Sequence, residues 1–350
     1  MSTGKLFTGA AESSIKPLLV SSAATNAVPA KVASGELRIA VVRQLNAGDY
    51  YEQWISGVQS EAERLKIKLD IYNADGDNAR QALFLQQAVV SKPDAIVVGW
   101  GIADAVKPGL EAARDARIPI VAFYVLHAEP SKDVAIIEQD DRLMMKGILE
   151  QLASDLGGSE PSADVIYVYA PGYQSLESRD AVWRAFIKEN PGIRTVATFG
   201  VVNPETVAQV TDQTRSALTA NLGVKAVIAP WDGFARGATA GIEKLSLQNK
   251  IKVYGIDIST ADISVMTKPD SPWVITATAD ATNVGSVVLR AAALKALGQL
   301  EGEFLSVAPV FVTQEALRAK QIHNMDQLKE SFPDLRTPKL ISAPWMDNLK

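Results

Sequence analysis

Cysteine is absent from all 350 residues, which removes disulfides, thiol nucleophiles and cysteine-based zinc sites together. Histidine is nearly absent, His127 and His323 being the two imidazoles, far apart in the chain. No HExxH or HxH pattern frames either one, so a histidine-rich metal centre is excluded. No uninterrupted apolar run approaches the roughly 18 residues of a membrane-spanning helix. There is no excess of basic charge either: 35 Lys and Arg against 40 Asp and Glu give a net charge of −5. That balance argues against a uniformly basic nucleic-acid binder, and no nucleic-acid partner is expected. Nucleotide-binding glycine motifs are missing, because Arg43-Gln44-Leu45-Asn46-Ala47-Gly48-Asp49 follows the first predicted strand. A GxSxG elbow is missing too. The chain reads as a non-enzyme with no cofactor.

What is present is ample core material. A chain of this length predicts two domains at about 150 residues each, and 47% apolar content can fill two cores. Residues 1–35 read as a leader or disordered segment, since the apolar patch at 17–20 is too short for the core of an export signal. From Glu36 onward, short β-branched blocks alternate with longer amphipathic stretches. Strands are expected at 38–42, 68–72, 95–98 and 120–124, with helices near 50–65, 78–90 and 103–116. The pattern then repeats, with strands at 134–137, 165–169, 194–199, 226–229 and 252–256. A strand at 274–279, a helix at 281–297 and a strand at 304–312 complete it. This order predicts an α/β fold of two similar, doubly wound parallel-sheet lobes. Beyond Ala319 the chain turns polar, with Pro333, Pro338 and Pro344, and residues 321–350 read as a C-terminal extension.

In such sheets, ligands bind outside the carboxyl ends of the strands. Six aromatic residues fall there: Tyr50, Tyr51, Trp100, Tyr124, Tyr173 and Trp231. Carboxylates recur at the same places in Asp232, Asp257 and Asp280, with an amide at Asn46 and an arginine at Arg179. Aromatic faces cover the C–H face of a sugar ring, while carboxylates, amides and a guanidinium bond its hydroxyls. A neutral, polyhydroxylated ligand fits that mixture. Arg179 has no oppositely charged neighbour three or four residues away that faces it, so its donors are expected to be free for ligand. Asp141 and Asp232 read also as N-caps of the helices that follow them.

At these residues the sequence resembles the ribose-type, class I periplasmic sugar-binding proteins of ABC transporters. The resemblance runs from Leu37 to Ala319. It rests on Asn46 with Tyr50-Tyr51 ahead of a long helix, Ala95-Ile96-Val97-Val98, Ala116-Arg117-Ile118-Pro119, Arg179, Ala229-Pro230-Trp231-Asp232, Tyr254-Gly255-Ile256-Asp257 and Asn283-Val284-Gly285. It implies the type I binding-protein fold, two lobes joined by three crossover strands with a ligand clamped between them. It further implies an N-lobe of residues 36–133 plus 281–303 and a C-lobe of residues 134–280 plus 304–320. Asn46, Tyr50, Tyr51, Trp100 and Tyr124 would face the ligand from the first lobe. Arg179, Trp231, Asp232 and Asp257 would face it from the second, with Asp280 at the hinge. An ABC permease as partner and a periplasmic location follow from the same resemblance.

The departures carry information. Where the family commonly has an Asp-Arg pair, this chain has Tyr124-Val125; its usual amide is Trp231, and its usual hinge glutamine is Ala279. The cleft becomes drier. A deoxy sugar, an open-chain polyol, an amino sugar or a non-sugar held in an aromatic cage fits these exchanges better than ribose or glucose. Two other uses of the fold stay open: a sensor presenting its bound ligand to a membrane receptor kinase, and a repressor. The short stretch before the first strand, with no helix-turn-helix, disfavours the repressor.

Overall fold

The strand Arg38–Arg43 is apolar between its two arginines, and residues Ile39, Ala40, Val41 and Val42 are fully buried. A strand covered on both faces belongs at the centre of a parallel sheet. The computed structural model, which describes residues 16–45, 48–158, 160–336 and 340–349, places it there. Its sheet runs in the spatial order Phe304–Val307, Val134–Gln139, Ile120–Phe123, Ala95–Gly99, Arg38–Arg43, Lys68–Asn73, parallel throughout. A second sheet runs Val310–Thr313, Trp273–Thr278, Lys252–Ile256, Val224–Ala229, Ala163–Val168, Ile193–Phe199. Only its edge strand Val310–Thr313 is antiparallel.

Both sheets therefore share one doubly wound order, in which the first strand lies between the second and the third. Each has its switch point beside that first strand. In the first lobe the switch lies between Arg38–Arg43 and Ala95–Gly99; in the second, between Ala163–Val168 and Val224–Ala229. Trp100 follows its third strand directly and Trp231 follows the other after Pro230, so the fold brings both indoles to the crevices where ligands collect.

Among the described strands the chain passes between the two sheets three times: after Gln139, after Thr278, and between Val307 and Val310. These passages correct two expected boundaries. Residues 134–139 pair with Ile120–Phe123 in the first sheet rather than opening the second lobe. The stretch 304–312 is two strands, the first in the N-lobe sheet and the second in the C-lobe sheet. Apolar patterning is the same on either side of each passage, so it marks no change of lobe.

In the first lobe, helix Ala281–Ala296 lies against helix Asp49–Leu65 at backbone distance. A Cβ at Gly57 would sit 1.8 Å from the Thr282 carbonyl oxygen, and one at Gly285 would sit 2.0 Å from the Trp54 carbonyl oxygen. Glycine is needed at both positions, and the tight seam fixes the helix that carries Tyr50 and Tyr51.

The terminal segments also differ from expectation. Leu19–Val20 pairs antiparallel with Leu300–Glu301, and Val32 is fully buried, so residues 16–35 pack on the first lobe. The C-terminal stretch is structured as well. Helix Met325–Ser331 packs on the second lobe's core, while Trp345 is 0% exposed in the first and donates from Nε1 to Gln299 Oε1 at 2.8 Å.

Candidate ligand-binding site

The strand ends of both lobes converge on a small cavity of about 30 Å³, at the crevice where ligands of doubly wound sheets bind. Tyr50, Tyr51, Trp100 and Tyr124 line it from the first lobe, and Tyr173, Arg179, Trp231 and Asp257 from the second. Seven residues expected at the site are thus brought together. Asn46 lies outside the described residues.

Three of them sit on unusual backbone. Trp100, Tyr124 and Asp257 have φ of 56°, 54° and 70°, left-handed values that cost a non-glycine residue on the order of 1–3 kcal/mol. Each immediately follows its strand, and the reversed φ turns the side chain from the sheet toward the cleft. The surrounding rings lock that arrangement. Tyr51 meets Trp100 edge-on at 5.0 Å, Trp100 meets Trp54 at 5.1 Å, and Tyr51 reaches across the cleft to Trp231 at 6.4 Å.

Arg179 is not free. Its Nε donates to Asp141 Oδ1 at 2.7 Å and its Nη1 to the Pro230 carbonyl at 2.6 Å, and Asp257 Oδ2 lies 3.4 Å away. The acids that engage it come from other elements, which a search of its own helix could not reveal. Burial pulls the guanidinium down, but Asp141 and Asp257 outweigh it and hold the group above its ordinary value. Burial also lifts the carboxyl of Asp141 to about 6, opposed by Arg179, and lifts that of Asp257 against Arg179 and Gln139. The phenols of Tyr50, Tyr51 and Tyr124 are pushed up by burial and stay protonated.

Two expected residues do not line the cavity among the described residues. Asp232 turns back, Oδ1 accepting from the Gly233 N–H at 2.6 Å, and its carboxyl lies buried near Asp262 and Arg236. The N-cap position itself belongs to Trp231. Asp280 caps helix Ala281–Ala296, accepting from Asn283 N at 3.3 Å, and pairs with Lys329 at 3.9 Å. It stands at a passage between lobes, as expected, but facing away from the cavity. Asp141 likewise is no cap; Asp140 takes that place, leaving Asp141 for Arg179.

Sequence reasoning missed Gln139, Ser175, Leu176 and Val202 in the lining and did not select Tyr173, although its place after a strand was plain. Gln139 was detectable in principle. It ends a strand two residues longer than its apolar block suggests. Its backbone N–H and Nε2 both donate to the Tyr124 hydroxyl, at 3.2 and 3.0 Å. Three cavity atoms have no hydrogen-bond partner among the described residues: Tyr50 OH, Gln139 Oε1 and Asp257 Oδ1. The arrangement is an aromatic cage with polar atoms left for a ligand. Among the described residues no group of His, Asp and Glu could hold a metal ion, and no helix is long and apolar enough to cross a membrane.

Residues 39–300 match the family described as periplasmic binding protein domain. The chain belongs to that family. A 5-methylthioribose transporter solute-binding protein from Thermotoga lettingae, solved in complex with 5-methylthioribose, is 34% identical to this periplasmic binding protein, with a TM-score of 0.87. The alignment covers 92% of this chain and 99% of that one. A sugar ABC transporter protein from Yersinia enterocolitica is 26% identical with a TM-score of 0.84, covering 89% and 94% of the two chains. A solute-binding protein from Agrobacterium vitis with bound allitol shares the fold, at 23% identity, a TM-score of 0.73 and coverage of 81% and 97%. No curated protein matches. The expected type I binding-protein fold is therefore the observed one.

Proposed function

We propose that this periplasmic binding protein captures a monosaccharide-like ligand carrying an apolar arm, of the kind 5-methylthioribose represents, and presents it to an ABC permease outside the cytoplasm. The carrying observation is the composition of the cage. Six aromatic rings surround a small set of unpartnered polar atoms, Tyr50 OH, Gln139 Oε1 and Asp257 Oδ1. Two of the three are pure acceptors, which suits donation from ligand hydroxyls. The rings bury far more ligand surface than those few hydroxyl contacts could use, so a fully hydroxylated hexose would leave its own polar groups unpaired. A sugar with one thioether or methyl arm matches both halves of the lining, sulfur–aromatic contacts being favourable in themselves.

Capture works by closure. The ligand bonds to both lobes and stabilises the closed arrangement over the open one by its differential affinity. A thermal-shift screen with 5-methylthioribose, ribose, allitol, an amino sugar, glucose and a set of amino acids tests this. A ligand at ~100 times its dissociation constant adds about 2.7 kcal/mol of stability. The proposal expects the largest shift from 5-methylthioribose; larger shifts with amino acids or with fully hydroxylated hexoses would overturn it.

A further inference from the structure

The aromatic cage is not the whole cleft. Trp100, Tyr124 and Tyr173 each have a second side, and it faces another cavity of about 230 Å³. The two compartments share these three rings as their common wall. The lining of the second is of a different kind: Gln44, Asn78 and Gln174 supply amides, and Gly76, Gly101 and Gly172 contribute no side chain. None of its described lining residues carries a charge.

Two of these amides hold unsatisfied oxygens. Gln44 is 6% exposed, and its Nε2 donates to the Gly76 carbonyl at 2.8 Å, which pins the group and leaves Oε1 without a partner among the described residues. Asn78 opens helix Asn78–Val90 beside it, and its Oδ1 is buried and likewise has no partner among the described residues. Leaving a buried acceptor unsatisfied costs roughly 1–3 kcal/mol. Two such acceptors, held at one cavity by a helix start and a strand end, make a site ready for donors. The glycines add room. Gly76 and Gly172 have φ of 85° and 92°, with nothing within 4 Å of an added Cβ, so no side chain fills the cavity there.

We propose that this compartment is a second subsite of the cleft, taking a neutral hydrogen-bonding ring attached to the caged sugar. The chemistry is that of a nucleobase or a second sugar. Amide side chains pair with the edge of a nucleobase, and aromatic rings accept its face; the same groups serve sugar hydroxyls and C–H faces. A phosphate or carboxylate is not the occupant, because an anion there would meet no cation and two acceptor oxygens. The inference rests on the proposed sugar ligand of the first compartment and extends it to substituted forms of that ligand.

Calorimetric titration of the full chain with three probes tests it: 5-methylthioribose, the adenine nucleoside of that sugar, and a ribose disaccharide. At least one extended probe should bind as tightly as 5-methylthioribose or more tightly, and the one that does tells a base from a second sugar. Asn78→Leu removes an acceptor at the first position of a helix and should weaken that probe about tenfold, or 1.4 kcal/mol. Its affinity for 5-methylthioribose should stay unchanged. Gln44→Met should repeat the pattern. Binding of 5-methylthioribose with exclusion of both extended probes would overturn the subsite alone, as would equal weakening of all probes by Asn78→Leu. No binding by any of the three would overturn the sugar reading and the subsite with it.

Discussion

The Ser259 hydroxyl donates to Asp49 Oδ2 at 2.9 Å, although the two residues stand 210 positions apart in sequence and in different lobes. Arg236 Nη1 lies 3.1 Å from the same carboxylate oxygen, and Arg236 Nε lies 3.2 Å from Asp262 Oδ1. Asp49 opens the helix that also carries Tyr50 and Tyr51, so the latch and the cage wall move together. These contacts join the two lobes. They favour closure without touching the cavity, and closure is part of the measured affinity.

Asp49→Asn should therefore weaken binding of every ligand by the same factor. The pair is partly exposed, which limits its worth to about 0.5–1 kcal/mol, a factor of about 2–5. Titration calorimetry against two ligands checks this. A change in the ratio of their affinities would mean that Asp49 contacts ligand instead.

Arg179→Lys should lower both ligand affinity and the melting temperature of the ligand-free protein. One guanidinium serves Asp141, the Pro230 carbonyl and Asp257 at once. A lysine ammonium lacks that planar fork and leaves at least one buried carboxylate poorly paired. A loss of about 2 kcal/mol in stability is expected, less than the roughly 3–5 kcal/mol of removing one partner of a buried pair because lysine keeps the positive charge. An unchanged ligand-free melting temperature with reduced affinity would restore the idea that the arginine's donors are reserved for ligand.

The cage was legible in the sequence because a topological rule carries it. Once parallel, doubly wound sheets are inferred, whatever follows each strand belongs at the cleft; Trp100, Tyr124, Trp231 and Asp257 obeyed that rule. The rule gives position but not direction. Asp232 and Asp280 follow strands too, and their carboxylates turned to the amides of the next helix instead. Arg179 failed in another way, because its partners lie 38 and 78 residues off, beyond any helical spacing. The segments at the two ends had no period to read. Val32 and Trp345 are buried by contacts with distant parts of the first lobe, and a local pattern does not record those.

Trp231 separates ligand preference from stability. Its indole is only partly buried, edge-on to Phe234 at 5.1 Å and facing Tyr51 across the cleft. Trp231→Asn should weaken a ligand with an apolar arm by about 1 kcal/mol, the scale of one aromatic contact, and improve the relative binding of a more hydroxylated sugar. Trp231→Ala should weaken both. The ligand-free melting temperature should stay close to that of the parent in each variant, measured by calorimetry. Large, equal losses of stability with unchanged preference would assign the indole to the core.

Trp345 tests whether the C-terminal stretch belongs to the fold. The ring is fully buried, and beside it Arg64 Nη1 donates to the Met346 carbonyl at 2.8 Å. Trp345→Ala should cost ~3–5 kcal/mol, as for other buried large-to-small exchanges. The denaturant midpoint reads this directly. A loss below about 0.5 kcal/mol, the level of surface substitutions, would mean that the segment is dispensable.

Glu138 gives the protein a pH dependence that can be checked without ligand. It precedes cavity-lining Gln139 on the strand that leads to the first passage between lobes. Burial pushes its carboxyl up to about 7, the charge on Asp141 adds to that, and a bond from Gln174 opposes it. The folded chain therefore keeps this proton at pH values where the unfolded chain, with an ordinary value near 4.5, has released it. More protons are bound folded than unfolded between 4.5 and 7, so this group's contribution to stability falls as pH rises through that window and is level above it. Asp141 and Asp262, both lifted to about 6 chiefly by burial, act in the same direction from 3.8 upward. Glu138→Gln removes the cost of ionising the buried group. It should raise the melting temperature at pH 8, by about 1–2 °C per kcal/mol recovered for a chain of this size. At pH 4.5, where the glutamic acid is already neutral, the exchange should change little. An equal shift at both pH values would trace the effect to packing of the amide rather than to the charge.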